Sequence, residues 1–182
     1  MHKFLVNIRY FETPALIFAT LVGLVIGGPW VWTGVALLIA SIIVDWATSA
    51  IKSIHCDVAG RDEDGELYGV DTLLKVMMWA QYPVFVMLQL ALIWRAYEYT
   101  SGLTFGPDEI LGITIHHGVT GWEMIGATIS AGIYMGLGIM FGHELAHTKG
   151  PTFVLARWMM ALRWSKHCTV FANYKFCFEG VN

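Results

Sequence analysis

The sequence predicts an all-α fold: a polytopic membrane helical bundle with about four transmembrane helices and one amphipathic interfacial helix. Hydrophobic residues make up 56% of the 182 residues and charged residues only 14%, whereas soluble domains usually carry about 25% charged residues. Four apolar stretches approach the ~17–25 residues that a helix needs to cross a bilayer. We therefore interpret residues 1–182 as a single transmembrane domain.

The charge and the cysteines exclude two other classes of protein. The net charge is −3, which gives no basis for a nucleic-acid partner, since such proteins usually carry basic patches. The three cysteines form no CxxC pair, and we expect reduced thiols rather than a disulfide framework.

The first two predicted spans cover residues 14–28 and 30–51, with a Gly-Gly-Pro turn at 27–29 between them. Taken alone, the first stretch is short, and its basic flank and apolar core are also typical of a cleaved signal peptide. The two stretches together accommodate two tightly linked spans. We favour this helical hairpin over a signal peptide.

The third predicted span covers residues 73–95 and follows a polar, acidic loop at 52–71. We interpret the loop as a solvated connector; the alternative is an acidic surface for an electron-donor protein. Lys75 and Arg95 are expected to snorkel out of the two ends of the span. Gln81 is expected to form a hydrogen bond to another helix.

The fourth predicted span covers residues 122–147 and ends in the motif His-Glu-Leu-Ala-His, with histidines at His143 and His147. Residues four apart lie on one face of an α-helix, so the two imidazoles can bind one metal centre. Residues 151–164 are basic and apolar, which predicts an interfacial helix. Residues 165–182 form a divergent tail without a clear period.

The basic residues predict the orientation of these spans. Ten of the 11 Lys and Arg residues lie on the side of the N-terminus, and Arg95 alone lies on the other side. The positive-inside rule then places both termini and the HELAH motif in the cytoplasm. We expect an integral protein of the bacterial inner membrane. His116 and His117 would face the opposite side and cannot join His143 and His147 in one site.

The motif allows more than one function. Zinc hydrolases, including intramembrane zinc proteases, use H-E-x-x-H with two zinc-binding histidines and a glutamate base. Membrane diiron enzymes also use histidine boxes, and imidazole suits both metals. A non-catalytic membrane protein with an incidental motif is the third possibility. Asp45 is interpreted as an interfacial aspartate in preference to a hydrogen-bond partner of a ligand histidine.

The string GHELAHTKG at the cytoplasmic end of a fourth span resembles the first histidine box of the membrane fatty acid desaturase superfamily. It is most similar to the branch of alkane hydroxylases and xylene-type monooxygenases. The resemblance covers about residues 14–162 and transfers only His143 and His147, both as iron ligands. It implies a membrane-bound non-haem diiron oxygenase or desaturase that acts on alkyl chains of lipids or alkanes, with electrons from a small electron-transfer protein.

One feature of that family is absent from the sequence. A second box of the type EHxxGHH does not follow the first, and two histidines cannot complete two iron coordination spheres. We therefore expect the lone chain to be the N-terminal part of such an enzyme, a frame-shifted or degenerate product, or half of a split protein. A partner chain would then supply the missing histidines.

Overall fold

The computed structural model describes residues 11–48, residues 71–146 and Val154. The described chain is mostly helical. In order it comprises α1 (Glu12–Ile26), a 3-10 helix (Gly28–Trp32), α2 (Thr33–Thr48), α3 (Asp71–Ser101), the strands β1 (Glu109–Ile110) and β2 (Ile113–Thr114), and α4 (Gly121–Ala146). The chain divides into two compact units, residues 1–136 and 137–182. All side-chain contacts reported below lie within the first unit.

The break between the first two helices lies where the Gly-Gly-Pro sequence predicts it. α1 ends at Ile26 because Gly27 has a φ of +79°, a conformation that glycine adopts readily and most other residues do not. The Gly27 N–H still donates to the Gly23 carbonyl at 3.1 Å. The chain then forms the 3-10 helix with a proline at its start and enters α2 directly.

α3 is longer than the predicted span over 73–95, because it begins at Asp71 and continues to Ser101. It packs against α1. Its buried positions recur every three or four residues, the spacing of one helix face: Met77, Gln81, Phe85, Leu88, Ala91, Arg95 and Glu98. The exposed positions between them are mainly large and apolar, including Val76, Met87, Leu90 and Ile93. α3 therefore buries Gln81, Arg95 and Glu98 among apolar side chains and exposes further large apolar side chains on its other faces.

Two segments of the described chain, Gly28–Ala47 and Val76–Ser101, are long and apolar enough to cross a membrane. Only 11% of the first window and 28% of the second are buried, whereas the core helix of a soluble protein is buried on most of its surface. The second half of α2 exposes Ile39, Ile42, Ile43, Val44 and Trp46. Exposed apolar surface of this extent is typical of membrane or protein contact.

A short β-hairpin interrupts the otherwise helical chain between α3 and α4. β1 and β2 pair antiparallel, with Glu109 opposite Thr114 and Ile110 opposite Ile113. The two loop residues, Leu111 and Gly112, have φ values of +52° and +81°, as a type I′ turn requires. The all-α prediction missed this hairpin, because each strand has only two residues.

α4 corresponds to the helix predicted over 122–147. Its N-terminus forms a capping box: the Thr120 N–H donates to Glu123 Oε2 at 2.7 Å, and the Glu123 N–H donates to Thr120 Oγ1 at 3.3 Å. A buried row of small residues follows, including Ala127, Ser130 and Ala131. Small residues let helix backbones approach closely. The Ser130 hydroxyl donates to the Val31 carbonyl at 2.7 Å, which connects α4 to the segment before α2.

Candidate functional site

The predicted metal ligands lie at the C-terminal end of α4. The helix includes His143 and Glu144 and ends at Ala146. Only the backbone is described at this end, and His147 lies outside the described residues. The helical register that an H-E-x-x-H pair requires is therefore present up to the residue before His147.

Residues other than the two predicted ligands do not form a metal site in the described part of the chain. Where side chains are described, no group of three or more His, Cys, Asp and Glu residues could hold a metal ion. Asp45 is exposed near the end of α2, and His116 and His117 lie between β2 and α4. The residues whose side chains the structure describes thus do not supply the donor set of two irons.

The first unit contains a buried cluster of charged side chains that the sequence did not predict. Arg95 is fully buried, so the expectation that it snorkels to the membrane surface was wrong. Its Nε donates to the Leu24 carbonyl at 2.7 Å, and its Nη2 donates to the Val25 carbonyl at 2.5 Å. These carbonyls belong to the last turn of α1, where backbone oxygens lack helical partners and the helix dipole is negative. A cation at this point caps α1.

Glu98 neutralises this cation from the next turn of α3. Its Oε2 accepts a hydrogen bond from Arg95 Nη1 at 2.8 Å, and its side chain is 1% exposed. Its Oε1 accepts from the Phe105 N–H at 3.2 Å and lies 2.7 Å from Nδ1 of His117. Charge-assisted bonds of this kind are about twice as strong as neutral ones. The carboxylate therefore connects the end of α3 to two points of the following connector.

Both ring nitrogens of His117 face acceptor oxygens. Its Nε2 lies 3.2 Å from the Pro107 carbonyl and 3.6 Å from Asp108 Oδ1, while Nδ1 faces Glu98. A neutral imidazole has a single N–H and donates from one ring nitrogen only. Arg95, Glu98 and His117 are called the Arg95 cluster below.

The Arg95 cluster acts as a clamp. Arg95 also donates through Nη1 to the His116 carbonyl at 2.8 Å, so one side chain connects α1, α3 and the connector. Gly27 makes room for it, because a Cβ at Gly27 would contact Nη2 of Arg95. All three guanidinium nitrogens and both Glu98 oxygens bond to protein groups, which favours a structural role over ligand binding. The sequence signal that could have revealed the cluster is the i, i+3 spacing of Arg95 and Glu98 at the end of an apolar helix.

Two further buried polar groups have no hydrogen-bond partner among the described residues. They are Gln81 Oε1 on α3 and Trp32 Nε1 in the 3-10 helix. Trp32 packs against Trp122 with ring centroids 4.8 Å apart. The interhelical hydrogen bond expected of Gln81 is therefore not made by its oxygen in this part of the chain.

Comparison with known proteins places the chain in no family. No family model matches it, no curated protein matches it, and no solved structure matches it. The likeness of GHELAHTKG to a desaturase histidine box therefore remains a prediction from the residues themselves.

Proposed function

We propose that the chain is an integral membrane protein of the desaturase and alkane hydroxylase type, in which His143 and His147 bind iron. The observation that carries the proposal is the helical backbone of α4 from Gly121 to Ala146. One further helical residue would put His147 on the same face as His143, one turn away. Two imidazoles in that register are a recurrent metal-binding arrangement.

The exposed apolar sides of α2 and α3 support the membrane location. We propose four spans, with both termini and the HELAH motif on the cytoplasmic side of a bacterial inner membrane. The connector at 102–120 contains no Lys or Arg, and Arg95, at the end of α3 beside it, is paired with Glu98 and buried. The non-cytoplasmic end would thus present no basic side chain from these segments, in agreement with the positive-inside rule.

The proposed chemistry is oxidation of an alkyl chain that enters from the bilayer. Histidine-bound iron would supply O₂ activation, with electrons from a small redox protein. The protein would contribute two imidazoles, and its apolar helices would keep the alkyl substrate away from water. The sequence contains no second histidine box after the motif, so we propose that a partner chain supplies the remaining histidines.

Metal retention tests this function. The full chain would be purified in mild detergent without oxygen, together with any partner chain that stays bound, loaded with Fe(II) in one sample and Zn(II) in another because zinc outcompetes iron at nitrogen ligands, desalted, and analysed by elemental mass spectrometry. We expect iron in the wild type and loss of most of it in His143→Ala and in His147→Ala. His116→Ala is the matched control, because the described hydrogen bonds of His116 use its backbone.

Two results would contradict the proposal. Equal iron retention in both histidine variants would show that the motif is not the binding site. Retention of zinc with exclusion of iron, lost in the same variants, would favour the intramembrane zinc protease.

A further inference from the structure

We infer that the β1–β2 hairpin is a lipid-contacting element that places Leu111 in the surface of the bilayer, on the side where the connector joins α3 to α4. The inference rests on the membrane location proposed above. It assigns a partner, a zwitterionic phospholipid surface, to a segment that the metal motif does not involve.

The tip of the hairpin has an unusual residue for its conformation. Leu111 has a φ of +52° and is the only non-glycine residue with a positive φ in the described part of the chain. Asn, Asp and Gly normally occupy this position of a type I′ turn. Leu111 is also 97% exposed. The turn conformation does not favour a large apolar side chain. Contact between Leu111 and lipid would account for a leucine at this position.

The hairpin has one apolar and one polar side. Side chains alternate between the two faces of a strand, so the opposed pair Ile110 and Ile113 lies on one face, and the opposed pair Glu109 and Thr114 lies on the other. All four residues are exposed. An exposed ribbon with this division fits an interface between lipid and water.

The apolar surface of the hairpin region continues that of α3. The exposed side of α3 leads through Leu90 and Ile93 to Tyr97. Tyr97 contacts Phe105 of the connector edge to face, with centroids 6.4 Å apart. Phe105 is 68% exposed and its neighbour Leu103 is 61% exposed. If α3 spans the bilayer, its lipid-facing surface therefore extends onto the connector that carries the hairpin.

Aromatic side chains mark the same end of the helices. Trp30 in the 3-10 helix, Tyr99 near the end of α3 and Trp122 at the start of α4 are all exposed. Tryptophan and tyrosine are enriched at the level of lipid headgroups. These residues indicate that the adjoining connector lies at the membrane surface.

The charges of the hairpin select the type of lipid. Its ionisable groups are Asp108 and Glu109, and the connector at 102–120 has no Lys or Arg. Attraction to anionic headgroups is thus absent, and contact depends on apolar insertion. We expect it on zwitterionic lipid and expect it to be insensitive to salt, because screening weakens only charge interactions.

The base of the hairpin is held against the helices. The Ile115 N–H donates to the Asp108 carbonyl at 2.9 Å, and the His116 N–H donates to the Ile26 carbonyl at 2.7 Å. Arg95 bonds to the His116 carbonyl from the other side. These bonds connect the strand that leaves the hairpin to the ends of α1 and α3, so the tip has a defined height relative to those helices.

Depth-dependent fluorescence quenching tests the inference. Cys56, Cys168 and Cys177 would be replaced by serine in the full chain. Single cysteines at Leu111→Cys, Thr114→Cys and Ile43→Cys would then carry an environment-sensitive fluorophore. The protein would be placed in phosphatidylcholine nanodiscs without spin label, with lipid spin-labelled near the headgroup, and with lipid spin-labelled at mid-chain, because Ile43 lies about 15 Å along α2 from its start. Ile43, exposed on α2, reports the membrane location itself.

We expect lipid quenching at positions 43 and 111, several times weaker quenching at position 114, and no change at high salt. Quenching at 43 with a water-exposed label at 111 would overturn the hairpin inference and leave the membrane location intact. A shielded label at 111 without lipid quenching would mean that protein covers the tip, which also overturns it. Absence of quenching at all three positions would instead contradict the membrane location.

A second variant separates a lipid role from a purely structural role of Leu111. Asparagine suits a positive φ better than leucine, so Leu111→Asn should leave thermal stability in detergent equal or higher. If the leucine inserts into lipid, the same change should reduce quenching of a label at Ile113→Cys severalfold. Unchanged quenching at position 113 would overturn the inference.

Discussion

Arg95→Met tests the buried clamp at the end of α3. The substitution keeps most of the side-chain volume and removes the cation. It deletes hydrogen bonds to the carbonyls of Leu24, Val25 and His116. Bonds between membrane helices are worth about 1 kcal/mol each, and removal of one member of a buried ion pair costs about 3–5 kcal/mol because the other charge is left buried. We expect a total loss of about 3–5 kcal/mol, because that range covers removal of the whole cation with its hydrogen bonds, and the buried Glu98 keeps its contacts to Phe105 and His117.

Reversible unfolding of the full chain in mixed detergent and SDS micelles measures this loss. Arg95→Lys keeps the positive charge but lacks the planar guanidinium. Its free energy of unfolding should therefore lie between those of the wild type and Arg95→Met. Arg95→Met combined with Glu98→Leu should lose less than the sum of the single changes, because no orphaned charge remains. Asp108→Asn is the control: its side chain is 99% exposed, and an effect within about 0.5 kcal/mol is expected. An equally small effect of Arg95→Met would refute the clamp.

Three further substitutions test the packing of the first unit by the same unfolding assay. Gly34→Ala should cost about 1–3 kcal/mol, because its Cβ would lie 2.7 Å from that of Ser130; Gly132→Ala, which meets nothing within 4 Å, is the matched control and should be neutral or stabilising. Gly27→Ala should destabilise by more than the about 1–3 kcal/mol that its backbone conformation alone costs, because its Cβ would overlap Nη2 of Arg95; a smaller loss would contradict the contact with Arg95. Thr120→Ala should cost about 1 kcal/mol through loss of the α4 cap, and no loss would contradict the capping box.

Local sequence patterns predicted the helices well where the signal itself is local. The Gly-Gly-Pro turn separates α1 from α2 because backbone conformation at Gly27 depends on residue type. The apolar run after Gly121 predicted a helix, and the structure has one that continues into the HELAH motif. The end of α3 was missed by several residues, because Arg95 was interpreted as a surface residue.

The Arg95 cluster and the hairpin could not be predicted in this way. The carbonyls that receive Arg95 lie about 70 positions earlier in the chain, and only tertiary packing of α1 on α3 brings them together. The hairpin has two residues per strand and a leucine where asparagine usually marks such a turn. The proposed metal motif is the reverse case: its two histidines are recognised by their spacing in the sequence, whereas the side chains of the motif lie outside the described residues.

X-ray absorption at the iron edge tests the central claim most directly. The full chain, purified with any partner chain that stays bound and loaded with Fe(II) without oxygen in lipid nanodiscs, would be compared with the same preparation of the His143→Ala/His147→Ala double variant. We predict multiple-scattering features of imidazole ligands in the wild type, and their loss together with most of the iron in the double variant. An iron site without imidazole scattering, or an identical spectrum in the double variant, would contradict the assignment of His143 and His147.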